Sequence, residues 1–159
     1  MKIQISYDSP DIRSGYLVLE NLGDHSTDLK RTKCDISFID PYVANGEAEE
    51  ILVLDILTYY QNVATIYLLN HWTNKIAING IITISDIDSI ECARSLASGN
   101  LSIQDYNILV HGAQNQPWLF RKTCLTLTQL SEYFEVKGWK ILTKKVNNFK
   151  FVISAQRVN

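Results

Sequence analysis

Residues 2–6 alternate polar and apolar, with Ile3 and Ile5 on one face, which is the period-two pattern of a strand; Ser9-Pro10-Asp11 must end it. Gly15 restarts an apolar run, Tyr16-Leu17-Val18-Leu19, that closes in Glu20 and predicts a second strand. The polar stretch 21–33, with the turn-prone pair Gly23-Asp24, reads as a loop or short helix. Residues 34–39 alternate again and stop at Asp40-Pro41, because proline has no N–H with which to extend a ladder; a third strand is expected there. Asn45-Gly46 is a turn signal, and Glu47, Glu49 and Glu50 place negative charge where a helix N-terminus favours it. A helix is therefore predicted over 48–60, apolar nearly all round and so covered by its neighbours. A second helix from about Ala64, with Tyr67, Leu68, Trp72 and Ile76 at helical spacing, is expected to cap at Asn79-Gly80.

Residues 81–84 form a continuous β-branched run, as a parallel strand buried on both faces should, and end in the polar Ser85-Asp86-Ile87-Asp88. Short helices are predicted near 90–97 and 103–109, an irregular segment over 111–123, and a last helix over 126–136 with Gly138 at its end. The tail reads as two strands, 139–143 and 149–155, around the turn pair Asn147-Asn148. Strands alternating with helices and closing on a hairpin predict one α/β domain over 1–159. Its sheet should be open and mostly parallel, with one antiparallel edge strand from the C-terminal hairpin. Ligands of such sheets bind at the carboxyl ends of the strands, beside the point where strand order reverses. The predicted ends lie at 6–10, Glu20, 40–42 and 85–88.

Composition narrows the classes. With 20% charged and 46% apolar residues, the 159-residue chain has ordinary globular usage and enough apolar material for a core of its own. The formal net charge of -2 predicts no bulk attraction to nucleic acid or anionic membrane. Cys34, Cys92 and Cys124 are far apart with no C-x-x-C pair, which fits reduced thiols better than disulfides or a zinc site. No apolar leader and no run of about 18 apolar residues is present, so a cytoplasmic location is expected. Self-association through rings such as Tyr59, Tyr60 or Trp118 stays open at this level.

Four stretches in order carry a family likeness: KIQISYDSPDIRSGYLVLE, GEAEEILVLDILTYY, HWTNKIAINGIITISDID and LVHGAQNQPWLFRKTCLTLTQLSEYFEVKGWKI. Together they resemble a short class I S-adenosylmethionine-dependent methyltransferase of the type 11-like, compact branch. The first looks like strand, cofactor loop and strand with the first helix shortened or absent. The second resembles the lead into the helix after the fourth strand. The third resembles a helix, turn and fifth strand, and the last a histidine-glycine loop, final helix and sixth strand. The resemblance implies a Rossmann-like fold, S-adenosylmethionine as cofactor, and methyl transfer to an acceptor it does not name. One departure is central: where the family has a glycine turn that lets the backbone approach the cofactor, this chain has Ser6-Tyr7-Asp8-Ser9.

The same likeness assigns roles. Ser6, Tyr7, Asp8 and Ser9 would line the cofactor, Glu20 would grip the ribose hydroxyls, Asp40 and Tyr42 would meet the adenine or the reacting end, and Asp55 would face the methyl donor. Asp86 and His111 would form the catalytic, acceptor side, His111 as a general base. Each residue also has a structural reading. Glu20 can be a solvated strand end, Asp40-Pro41-Tyr42 a turn on the core, and Asp55 part of a narrow polar face with Thr58. Asp88 or Ser89 can cap a helix, and His111 can be a surface loop residue. Arg121 and Lys122, near Trp118 and Phe120, could meet an anionic or aromatic acceptor. The alternative to an enzyme is a degenerate, non-catalytic relative kept as a binding or scaffolding module.

Overall fold

The computed structural model describes residues 1–6, 12–21 and 31–159. Along the chain come β1 (Lys2–Ser6), β2 (Leu17–Glu20), β3 (Arg31–Lys33), β4 (Ala48–Leu54), a 3-10 turn (Leu57–Tyr59) and α1 (Asn62–Lys75). There follow β5 (Ile76–Ile87), α2 (Ser89–Ala97), α3 (Ile103–His111), α4 (Leu127–Val136), β6 (Lys140–Asn147) and β7 (Lys150–Gln156). Described residues form a seven-stranded sheet in the order β3-β2-β1-β4-β5-β7-β6. Strands β3 to β5 along that order are parallel, and β7 runs antiparallel between β5 and β6. The antiparallel strand is therefore internal, and the edge is β6. That edge carries Lys140, Lys144 and Lys145 on exposed positions, which discourages pairing with another chain.

Residues 48–54 are strand β4, not the start of a helix. A run such as Ile51-Leu52-Val53-Leu54 has the same pattern in a buried helix and in a central strand covered on both faces, so periodicity alone does not separate the two. Here Ile51 and Val53 enter the main core while Leu52 packs on the other face, and β1 and β5 flank the strand. The glutamates do not serve a helix N-terminus. Glu50 pairs with Lys2, its register partner on β1, at 3.1 Å, and Glu49 with the N-terminal amine at 3.4 Å.

Residues 34–39 are not a strand either. Asp35 Oδ1 accepts the N–H of Ser37 at 2.9 Å, which turns the chain so that Ile36 and Ile39, three apart, both become fully buried. The segment is held onto α1: Trp72 Nε1 donates to the Ile36 carbonyl at 2.9 Å, and the Ile39 N–H donates to His71 Nε2 at 3.1 Å. The predicted cap at Asn79-Gly80 also shifts, because α1 ends at Lys75 and both residues lie inside β5. The final turn falls on Asn148-Phe149.

The sheet is covered unequally. One face carries Ile3, Ile5, Leu19, Ile51, Val53, Ile82, Ile84 and Ile153 into a core completed by Leu68, Leu69 and Trp72 of α1 and Leu130 and Phe134 of α4. On the other face the register row Val18, Gln4, Leu52, Thr83, Ser154 passes from fully buried to half-buried, and Thr83 and Ser154 hydrogen-bond to each other at 2.8 Å.

His71 makes the fold sensitive to acid. Its Nε2 must be unprotonated to accept from Ile39, and burial lowers its pKa from the usual 6.5, with the Asp40 carboxylate opposing. A histidine kept neutral in the folded state contributes stability that is full above its ordinary pKa and is lost as pH falls through the folded value. The thermal midpoint is expected to drop between about pH 7 and pH 5, and a His71→Gln variant to lose that part of the slope. An identical slope in the variant refutes the assignment.

Candidate functional site

Strand order reverses between β1 and β4: one side continues through β2 to β3, the other through β5. This is the switch point at which open α/β sheets bind ligands, at the carboxyl edge. Register places Lys33, Glu20, Ser6 and Leu54, the last residues of β3, β2, β1 and β4, in one row with Ser85, two residues before the end of β5. Within the row, Ser6 and Glu20 are both fully buried, and Ser6 Oγ donates to Glu20 Oε1 at 2.9 Å. Arg31 reaches across from β3, one guanidinium nitrogen donating to Oε1 at 2.8 Å and to Oε2 at 2.9 Å. Asp55 follows β4 directly, in a left-handed conformation (φ 51°) that non-glycine residues seldom adopt. Its backbone N–H bonds to the Ser85 carbonyl at 2.8 Å and its Oδ2 contacts Lys150. Its Oδ1 is buried without a hydrogen-bond partner among the described residues.

A second cluster lies beside it at the end of β5. Asp86 is fully buried and accepts from Thr58 N at 3.1 Å, Thr58 Oγ1 at 2.9 Å, Ile87 N at 2.8 Å and Arg121 at 2.7 Å. Burial pushes its carboxyl above the usual range, against the pull of the Arg121 guanidinium and the backbone donors. Arg121 also contacts Thr58 Oγ1 and lies over the Tyr59 ring, 4.7 Å from its centroid. Residues 112–123 thus fold back onto the 3-10 turn, where Lys122 N donates to the Thr58 carbonyl at 2.7 Å. Gly112 permits this return: its φ is +84°, and a Cβ there would stand 2.4 Å from the Leu119 carbonyl oxygen.

The similar solved structures include several methyltransferases. A SAM-dependent methyltransferase from Archaeoglobus fulgidus superposes with a TM-score of 0.59 at 11% identity over 88% of this chain and 75% of that one. The 1,6-didemethyltoxoflavin-N1-methyltransferase of Burkholderia thailandensis, with bound 1,6-didemethyltoxoflavin and S-adenosylhomocysteine, gives 0.61 at 10% identity over 99% and 71%. An O-methyltransferase family protein from Burkholderia thailandensis gives 0.55 at 12% identity over 80% of this chain, which spans only 35% of that one. The fold is the Rossmann-like methyltransferase fold. No protein-family model and no curated protein matches the chain significantly.

Within that methyltransferase fold, the candidate residues fall into separate places. Ser6, Glu20 and Asp55 share the carboxyl edge of the switch point, and Asp55 stands at a strand end instead of in a helix. Tyr7, Asp8 and Ser9 lie outside the described residues. Asp40 and Tyr42 are on the opposite edge. Asp40 pairs with Lys75 at 2.7 Å, and Lys75 immediately precedes the first residue of β5, at the amino end of the strands. No strand leads into Asp40, so nothing carries it to the ligand edge. Asp86 is fully buried and engaged by four donors, and its pair with Arg121 anchors the 111–123 return. Asp88 caps α2 through the Glu91 N–H and receives the Leu127 N–H as well, each at 2.9 Å. His111 ends α3 with its side chain exposed, and its carbonyl accepts from Arg121 N at 3.0 Å. The patterning did not single out Arg31 or Lys150. Lys150 lies far along the chain from Asp55 and is brought in by the register of β7 with β5, and Arg31, 11 residues from Glu20, by the register of β3 with β2.

Proposed function

We propose that the chain is a compact, type 11-like class I methyltransferase that holds S-adenosylmethionine at the carboxyl edge, close to Ser6, Glu20 and Asp55. The reading is carried by one observation: in a sheet of this fold, Glu20 closes β2 in register with the small Ser6 closing β1, at the switch point. The donor set suits an adenosyl cofactor. A carboxylate with two acceptor oxygens matches a ribose diol, and the buried Asp55 oxygen that has no partner among the described residues is an acceptor for an N–H or O–H group. The cofactor, when bound, supplies an electrophilic methyl group on a sulfonium.

The chain's own contribution is positioning. Glu20 and Ser6 orient the nucleoside end, Asp55 borders the reacting end, and the 111–123 return, anchored by Arg121 on Asp86, forms the wall over which an acceptor approaches. His111, exposed at the end of α3, is the group on that side suited to take a proton from a hydroxyl or amine acceptor.

Titration calorimetry of the full chain with S-adenosylhomocysteine is expected to give saturable binding, and Glu20→Gln to weaken it by about tenfold or more, as loss of a buried charged hydrogen-bond acceptor should. Absence of saturable binding at millimolar ligand rejects the cofactor reading and leaves a degenerate binding or scaffolding module.

A further inference from the structure

We propose that Arg31 is an internal competitor for Glu20: it latches the nucleoside site shut, and an adenosyl ligand gains the carboxylate only when Arg31 leaves it. The inference rests on the cofactor reading above and adds a regulation of the same site. Glu20 is fully buried, and both of its oxygens are already engaged, Oε1 by Arg31 and Ser6 and Oε2 by Arg31. A vicinal diol would offer one O–H to each carboxylate oxygen, and the guanidinium nitrogen already supplies one contact to each. Oε1 has two acceptor sites and both are taken, by Ser6 and Arg31, so a diol that needs a site on each oxygen has to displace a donor there, and Arg31 is the donor that bridges both oxygens.

The position of the pair marks it as a latch. Arg31 is the first residue of β3, a three-residue strand at the edge of the sheet, paired only with β2 among the described residues. Its side chain retains 11% exposure, in contrast to the fully covered Glu20. Movement of its side chain off Glu20 breaks no ladder hydrogen bond of the central strands. Leaving Glu20 without a partner in the interior is costly, so the latch stays closed until another donor set replaces the guanidinium. The apparent affinity for ligand is then the intrinsic affinity reduced by the fraction of molecules with the latch open.

The test is calorimetric titration of S-adenosylhomocysteine into the full-length wild type, Arg31→Gln, Glu20→Gln and the double variant, with circular dichroism as the folding control. Arg31→Gln is expected to bind about tenfold or more tightly than wild type, and the gain to vanish in the double variant. Should Arg31→Gln fail to fold, Arg31→Lys keeps the charge on a shorter stem without the planar guanidinium, and a smaller gain is expected. Equal or weaker binding by the folded Arg31 variants, with wild type binding, overturns the latch and leaves the cofactor reading standing. If wild type and the Arg31 variants all fail to bind, both are overturned.

Discussion

Replacing Arg121 with methionine is expected to lower the stability of the fold by about 3–5 kcal/mol at neutral pH, the usual cost of stranding one partner of a buried ion pair. Asp86 is fully buried and the Arg121 side chain 10% exposed, so solvent cannot take over the lost contact. Methionine keeps much of the length of the stem, which limits the packing loss and isolates the charge. The pH dependence distinguishes this from simple loss of bulk. Burial raises the Asp86 carboxyl above its ordinary 3.8, with Arg121 the leading influence in the opposite direction. A carboxyl raised in the folded state contributes stability that is fully present below its ordinary pKa and is lost as pH climbs through the folded value. Without Arg121 the carboxyl rises further and the window widens. The urea midpoint of Arg121→Met is therefore expected to increase relative to wild type as pH is lowered from neutral toward that ordinary value. Adding Asp86→Asn should recover part of the loss, a coupling that a double-mutant cycle reads directly. A variant as stable as wild type at neutral pH refutes the account. The same substitution frees the 111–123 return, so faster amide exchange is expected at Lys122, whose N–H bonds to Thr58.

Trp72→Ala is expected to cost a further class of stability, about 3–5 kcal/mol, through the cavity it leaves in the main core. Trp72 is fully buried on α1 and belongs to the cluster that joins α1, α4 and the sheet. For a chain of this size such a loss lowers the thermal midpoint by roughly 10 °C. Trp72→Phe separates two contributions. It retains most of the apolar volume and removes the Nε1 donor, leaving the Ile36 carbonyl without its side-chain partner, at a cost of about 1–3 kcal/mol. Calorimetric or denaturant unfolding of both variants measures the pair. A Phe variant as destabilised as the Ala variant means that the hydrogen bond to the 34–39 segment outweighs the packing. Equality of both with wild type removes Trp72 from the core argument.

The similar structures are 10–12% identical to this chain, so they speak to fold, and the site rests on its own geometry. Two features of this chain bear on it. Ser6 and the residues that follow it in the sequence stand where the resemblance leads one to expect a glycine turn, and Glu20, closing β2, is already held by Arg31. The titration with Arg31 variants addresses the second directly.

Local pattern determined a good deal by itself. Alternation in residues 2–6, the β-branched run 81–84, the helix with Trp72 at helical spacing, the last helix and the terminal hairpin all carry periodicities that a single element satisfies, and each is present. The end of β2 at Glu20 was legible for the same reason. Tertiary structure alone decided β4, because an apolar run covered on both faces has no polar phase to betray its period; only its pairing with β1 and β5 makes it a strand. It also decided 34–39, where a strand-like alternation is overridden by an Asp35 turn and by the donors and acceptors of α1. That override moved Asp40 to the amino edge, while the reassignment of β4 moved Asp55 to the carboxyl edge. The partners that close the site, Arg31 on Glu20 and Arg121 on Asp86, belong to the same class of fact: a residue type can be read from the chain, but which buried charge it neutralises depends on strand register and loop return, which are properties of the assembled sheet.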